Sequence, residues 1–321
     1  MKALVTGVSG FIGGHLAKRL KEEGYWVRGA DIAKPRYGPI PCDDFFFGDL
    51  RDRATCYIAV DGIDEVYHLA ASMGGMGFIS SHSASILHDN LLIDTHILEA
   101  ARTGGVGRFF YSSSACVYPN FKQERTDILG LKEDDAYPAD PQDTYGLEKL
   151  CMEQLCLSYA EDYGMTTRIA RFHNVYGPKG SWNDNAEKVP AALCRKIAEG
   201  KRTSWEPRIE IWGDGEQTRS FMLVDDCIEG ILRLMRSDYP YPLNLGSDRL
   251  VSINELADII AEIAGVRIQK KHIDGPQGVR GRNSNNDRIN EILKWAPSIP
   301  LEAGLSVTYR WIEDNVLQES L

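Results

Sequence analysis

No apolar run in the 321-residue sequence approaches the roughly 18 residues that a membrane-spanning helix needs, so no membrane partner is expected. There is no basic excess either. Lys and Arg number 36 against 46 Asp and Glu, a net charge of −10, which excludes the broad basic footprint that nucleic-acid binding requires. The seven cysteines are odd in number and contain no CxxC pair, which fits reduced intracellular thiols better than a disulfide framework or a structural zinc site. The seven histidines include no HExxH, and no metal is expected. Lys2-Ala3-Leu4-Val5-Thr6 already reads as a strand, leaving no room for the charged and apolar regions of a signal peptide; the expected location is the cytoplasm. Internal repeats and low-complexity segments are also lacking, so neither offers a rival architecture.

What is present is an alternation of short apolar runs with long amphipathic stretches. Residues 3–6, 26–30, 66–69, 108–112 and 167–171 read as strands, and 11–23, 86–102 and 145–163 as helices. This pattern predicts an α/β fold with a doubly wound parallel Rossmann sheet, because right-handed crossover helices must cover both of its faces. After Phe172 the pattern loosens, with Pro178, Gly180, Pro190, Pro207, Gly213 and Gly215 interrupting shorter segments. Residues 224–236 read as a further helix, 241–245 as a strand returning to the sheet, and 253–264 as the start of a carboxy-terminal helical region. The expected division is therefore a dinucleotide-binding domain of 1–171 plus about 220–246. A smaller, discontinuous substrate-binding domain takes about 172–219 plus 247–321.

Gly7-Val8-Ser9-Gly10-Phe11-Ile12-Gly13 joins the first strand to the first helix, the context that gives a glycine pattern meaning. Gly7 suits the tight turn, Gly10 the approach of backbone to a pyrophosphate, and Gly13 close helix packing, with the helix N-terminus facing the negative charge. The alternative is a merely flexible β–α turn. Asp31 ends the second strand where a carboxylate can accept bonds from ribose hydroxyls and repel a 2′-phosphate; NAD is expected over NADP. Arg28, Lys34 and Arg36 lie close enough in sequence to offset that repulsion. Asp49, followed by Leu50, is a candidate adenine contact or else the cap of the next helix.

Tyr145 and Lys149 stand four residues apart, on one helical face. The cation favours phenolate over phenol, so Tyr145 can accept a hydroxyl proton while hydride leaves the same carbon. Taken alone, such a pair is more often a solvated helix pair. Together with the glycine turn, His68-Leu69-Ala70-Ala71 and Ser112-Ser113-Ser114, it resembles the extended short-chain dehydrogenase/reductase family over nearly the whole chain. That resemblance implies NAD, with Leu69, Ala70, Ala71 and Ser112 in the cofactor site. It further implies nucleotide-sugar substrates carried by the segment Phe172-His173-Asn174-Val175-Tyr176-Gly177-Pro178. The family's 4,6-dehydratases have an Asp-Glu pair where this chain has Ala115-Cys116, so elimination of water is not expected.

Ser72 to Phe78, with its Met73-Gly74-Gly75-Met76-Gly77-Phe78 loop, and Val279-Arg280-Gly281-Arg282-Asn283-Ser284 are similar to motifs of the GDP-mannose 3,5-epimerases within that family. The chemistry is coherent. Oxidation at the sugar 4-position turns the neighbouring C–H bonds into those of a ketone, and inversion then needs groups able to act on both faces. The resemblance assigns Cys116 and Lys188 as that acid/base pair; on residue type alone, a buried structural cysteine and a surface lysine are the alternatives. It implies Arg282, Lys196 and Arg219 as diphosphate clamps and Gly74, Ser114, Ala115, Asn174, Gln217 and Thr218 as further substrate contacts. For Lys196 and the adjacent Arg195, an exposed basic helix end stands equally open. The expected reaction is GDP-D-mannose to GDP-L-galactose and GDP-L-gulose, with a homodimer formed through the helices around Ile86 and Tyr145. Two departures appear: Asn285 stands where plant members have Asp, and the chain lacks their longer terminal extensions. The competing readings are a 4-epimerase using Tyr145 and Lys149 alone, and a non-catalytic nucleotide-sugar-binding regulator.

Overall fold

A computed structural model describes residues 1–74, 76–184 and 186–319, so Gly75 of the glycine loop lies outside the described residues. The first six strands are β1 (Lys2–Thr6), β2 (Trp26–Asp31), β3 (Asp44–Phe47), β4 (Glu65–His68), β5 (Arg108–Ser114) and β6 (Thr167–Phe172). They lie in the order β3-β2-β1-β4-β5-β6, and Leu243–Leu245 adds a seventh strand beside β6. Every pairing in the sheet is parallel. This is the doubly wound architecture, with its reversal of winding between β1 and β4.

The helices are α1 (Phe11–Glu22), α2 (Arg53–Val60), α3 (Met76–Ser81), α4 (Ser83–Thr103), α5 (Thr144–Tyr163), α6 (Val189–Lys201), α7 (Val224–Arg236), α8 (Ile253–Ala264), α9 (Asp287–Leu293) and α10 (Leu301–Gln318). Strand β1 shows why both faces need cover. Ala3 and Val5 enter one core with Leu16 and Leu20 of α1 and Ile228 and Ile231 of α7. Leu4, pointing the other way, enters a second core with Cys56 of α2, Ile97 of α4 and Met152 of α5. A third core joins α6, α8 and α10 through Ile197, Ile260 and Leu305. Around it, among the described residues, lie four further strand pairings in three small sheets. Residues 208–212 pair in parallel with 269–273, 218–220 pair with both 250–252 and 281–282, and 175–176 pair with 222–223.

Local chemistry sets the boundaries. Helix α5 begins where the Asp143 carboxylate accepts the Gly146 N–H and ends at Gly164 in the left-handed conformation, φ 67°. Helix α8 opens on a Ser252/Glu255 capping box. Two expectations need correction. Pro190 does not interrupt a segment but sits in the first turn of α6, where its missing N–H costs nothing. The returning strand starts at Leu243, not Tyr241, because Pro242 cannot donate to the ladder. Buried Arg171 of β6 donates from Nε and Nη2 to the Glu153 carboxylate of α5 at 2.9 and 2.7 Å and fastens that helix across the sheet. Removing one partner would strand the other charge at a cost of about 3–5 kcal/mol.

Candidate active site

The carboxyl ends of β1, β2, β4, β5 and β6 open onto a cavity of about 810 Å³. It lies at the reversal of strand order, where doubly wound sheets leave a crevice. Gly7, Gly10, Phe11, Ile12, Gly13, Asp31, Asp49, Leu50, Leu69, Ala70, Ala71 and Ser112 line it, together with Tyr145 and Lys149. Gly74, Ser114, Asn174 and Lys188 complete its wall.

The glycine turn is shaped by close approach. Gly7 has φ 67°, and a Cβ on Gly13 would stand 2.2 Å from the Gly7 carbonyl oxygen. Gly13→Ala is therefore expected to cost about 1–3 kcal/mol through overpacking and to open the turn. Thermal melting and the dinucleotide content of the purified protein check this; unchanged values for both would refute it. The Asp31 carboxylate accepts the Ser9 and Ala33 N–H groups, both at 2.9 Å, which fixes its orientation at the cavity rim. Arg28 cannot offset its charge, a correction to the sequence reading. Arg28 is bound to Asp44 and to the carbonyls of Ile58, Ala59 and Asp61. Arg36 likewise donates to Asp184 and Asn183. Asp49 is held by Arg51, whereas the cap of α2 is Asp52, whose carboxylate accepts the Ala54 N–H.

Tyr145 and Cys116 meet because α5 begins against the turn that follows β5. A Cβ on Gly146 would fall 2.1 Å from the Cys116 carbonyl oxygen, so this contact requires glycine. Cys116 N–H donates to Ser114 Oγ at 3.1 Å, and Ser114 and Tyr145 both line the cavity. Burial raises the Tyr145 phenol well above its ordinary range, opposed by the charge of Lys149.

Arg282 comes from the strand Gly281–Arg282. Its Nε donates to Gln123 Oε1 at 2.6 Å and its Nη1 to Cys116 Sγ at 3.3 Å, while buried Nη2 has no partner among the described residues. A buried guanidinium nitrogen without an acceptor is suited to an anionic ligand. Lys188 occupies the N-cap position of α6 without a side-chain capping bond, and its exposed side chain lines the cavity. Desolvation lowers its pKa, Cys116 and Cys227 oppose this, and Arg282 adds to the lowering.

Other residues named from sequence turn elsewhere. Arg219 donates to the carbonyls of Thr218, Gln277 and Val279 beside Arg282; burial and that neighbouring charge lower its pKa. Thr218 Oγ1 donates to the Thr126 carbonyl, and Gln217 Nε2 to that of Trp212. Lys196 donates to the Glu210 carbonyl at 2.7 Å. Ala115 is buried in the turn that carries Cys116. The sequence reading missed Gln123, which aims Arg282, and a polar group beneath Lys149 formed by His68, Asn90, Asp94, Tyr111 and Glu148. A signal for the latter existed. Asn90 and Asp94 occupy the buried stripe of α4 that continues through Ile97, Leu98 and Ala101.

The NAD dependent epimerase/dehydratase family model matches residues 3–246. The chain is 49% identical over 321 residues to a GDP-mannose 3,5-epimerase of Arabidopsis thaliana, covering 99% of this chain and 84% of the relative. It is 50% identical to GDP-mannose 3,5-epimerase 1 of Oryza sativa subsp. japonica, with 99% and 83% covered. A solved structure of UDP-glucuronic acid 4-epimerase from Bacillus cereus, in complex with UDP-glucuronic acid and NAD, superposes with a TM-score of 0.80. It is 26% identical, over 98% of this chain and 100% of that one.

Proposed function

This chain belongs to the NAD dependent epimerase/dehydratase family, and we propose that it is a GDP-mannose 3,5-epimerase, an isomerase converting GDP-D-mannose to GDP-L-galactose and GDP-L-gulose. The observation that carries this reading is the Arg282–Cys116 contact, with Lys188 and Tyr145 both near enough to feel the charge of Cys116. A 4-epimerase has no task for Cys116 or Lys188. A non-catalytic binder has no task for any of the proton carriers.

The cavity suits NAD by its own features: the cradle that a Cβ at Gly13 would fill, and the oriented Asp31 carboxylate where a 2′-phosphate would meet like charge. Bound there, NAD would supply hydride-accepting and, in its reduced form, hydride-donating chemistry at the sugar 4-position. Tyr145 takes the 4-hydroxyl proton, and Lys149 keeps positive charge beneath it. Once the 4-position is a ketone, the C–H bonds at positions 3 and 5 become acidic. Cys116 and Lys188 then remove and replace those protons. Arg282 offers Nη2 to the anionic substrate, with Arg219 and Lys196 as further proposed clamps. Gly74, Ser114, Ala115, Asn174, Gln217 and Thr218 are the proposed substrate contacts.

The division proposed is 1–171 plus about 220–246 for the cofactor, and about 172–219 plus 247–321 for the substrate. The proposal extends to a cytoplasmic homodimer formed through α4 and α5, supported by seven free cysteines and by Leu147 and Tyr163, both exposed on α5. Among the described residues no helix is long and apolar enough to cross a membrane.

The direct test is incubation with GDP-mannose in deuterated water. Deuterium is expected at sugar positions 3 and 5, without net accumulation of reduced cofactor. Absence of label at both positions would sink the proposal.

A further inference from the structure

Lys149 is buried, and its surroundings contain more acid than its single charge requires. Its Nζ donates to Tyr111 Oη at 3.0 Å and lies 3.6 Å from Asp94 Oδ2 and 3.5 Å from Glu148 Oε1, with all three charged side chains at most 1% exposed. Two carboxylates against one ammonium would leave a net negative charge among buried side chains, which is costly.

The hydrogen bonds resolve this. Tyr111 has one proton for two carboxylate contacts, and the shorter one, 2.9 Å to Asp94 Oδ2 against 3.3 Å to Glu148 Oε1, takes it. Its oxygen accepts from Lys149, so its 3.3 Å contact with Glu148 Oε1 is a hydrogen bond only if Glu148 brings the proton. On the far side, Thr6 Oγ1 accepts the Leu69 and Ala70 N–H groups of the cavity wall. Its hydroxyl proton is then left for His68 Nδ1 at 2.8 Å, and His68 Nε2 donates to Asp94 Oδ1 at 2.8 Å. Asp94 thus receives two donors and acts as an acceptor only. Glu148 Oε2 accepts from Asn90 Nδ2 at 3.2 Å. Burial and the neighbouring Asp94 raise the Glu148 carboxyl to about 8, against the pull of Lys149; Lys149 and the His68 bond overcome burial and hold Asp94 low. The remaining titratable groups facing this site are Tyr145 and Cys156, both on α5.

We propose that Asp94 and Glu148 are positioning residues that share one negative charge and one proton, and that this charge holds the Lys149 ammonium beneath Tyr145. Either carboxyl suffices. When Asp94 is neutralised, the proton leaves Glu148 and the charge moves there. The proposal rests on the epimerase reading for its kinetic consequence, but not for its charge state.

The test uses Asp94→Asn, Glu148→Gln and the double variant of the full-length protein. Glu148→Gln is expected to keep sugar-proton exchange within about threefold and Asp94→Asn within about tenfold. The double variant should lose about 100-fold or more in kcat with little change in KM, and its exchange–pH profile should shift, because buried Lys149 then has no anion. Wild-type kinetics and pH profile in the double variant, or a loss in Glu148→Gln as large as in the double, would overturn the proposal.

Infrared difference spectra against the unaltered protein keep the question open to refutation if the double variant does not fold. The carbonyl stretch of one protonated carboxyl should vanish in Glu148→Gln and also in Asp94→Asn. Its persistence in Asp94→Asn would refute charge sharing. If the unaltered protein exchanges no sugar protons, the epimerase reading fails while the infrared arm still decides the charge state.

Discussion

Tyr145→Phe is expected to reduce deuterium incorporation at sugar positions 3 and 5 together by about 10²–10⁴-fold, the usual contribution of a positioned acid/base group. Both positions depend on the 4-ketone, so one lost phenol silences two carbons that it does not itself deprotonate. Bound cofactor and melting temperature should be retained, because the ring still packs against Ile79 and Ile86. The pH dependence has a definite sign. Burial raises the phenol, so its base form is scarce near neutrality and grows as pH rises. Exchange by the unaltered protein should therefore climb on the alkaline side. Mass spectrometry of the recovered sugar nucleotide measures it; substantial exchange by Tyr145→Phe would remove this residue from the proposed mechanism.

Cys116→Ala and Lys188→Met should each lower formation of the epimerised sugars by about 10²–10⁴-fold. The reason is stereochemical. A single group working on one face returns the proton to where it came from, so inversion fails when either member is missing. Cys116→Ala is also expected to abolish exchange. Neither variant should prevent reversible oxidation at position 4, because Tyr145 and Lys149 remain. The lowered pKa of Lys188 means that its neutral amine is present at lower pH than for an ordinary lysine. Lys188→Arg, locked in the protonated form, should not substitute. Product analysis by NMR and single-turnover reduction of bound nicotinamide separate the steps; near-normal epimer formation by either the Ala or the Met variant would overturn the pair.

The helices 224–236 and 253–264 carry the same limits in the sequence reading and in the structure, because their apolar period and end signals are local. Strand β3 was not legible, and helices α2, α6 and α10 were legible only as helices without limits. The apolar run of β3 has no alternation, and the proline that opens α6 looks the same in sequence as one that ends a segment. At the site, Tyr145, Lys149 and the glycine turn were legible because neighbours on one helix face or one tight turn are set by backbone geometry alone. Cys116 and Lys188 entered the proposed site only through likeness to related chains.

The sequence by itself determined the parallel sheet, through the alternation of strands with crossover helices, and the dinucleotide turn and the Tyr145–Lys149 face, through spacings within one or two turns of backbone. Only the tertiary structure decided what surrounds Lys149 and Cys116. Asp94 arrives from α4, Tyr111 from β5 and Arg282 from a strand 166 positions beyond Cys116. Charge state and hydrogen bonding in a buried site depend on distances between such remote segments, and packing alone sets those distances.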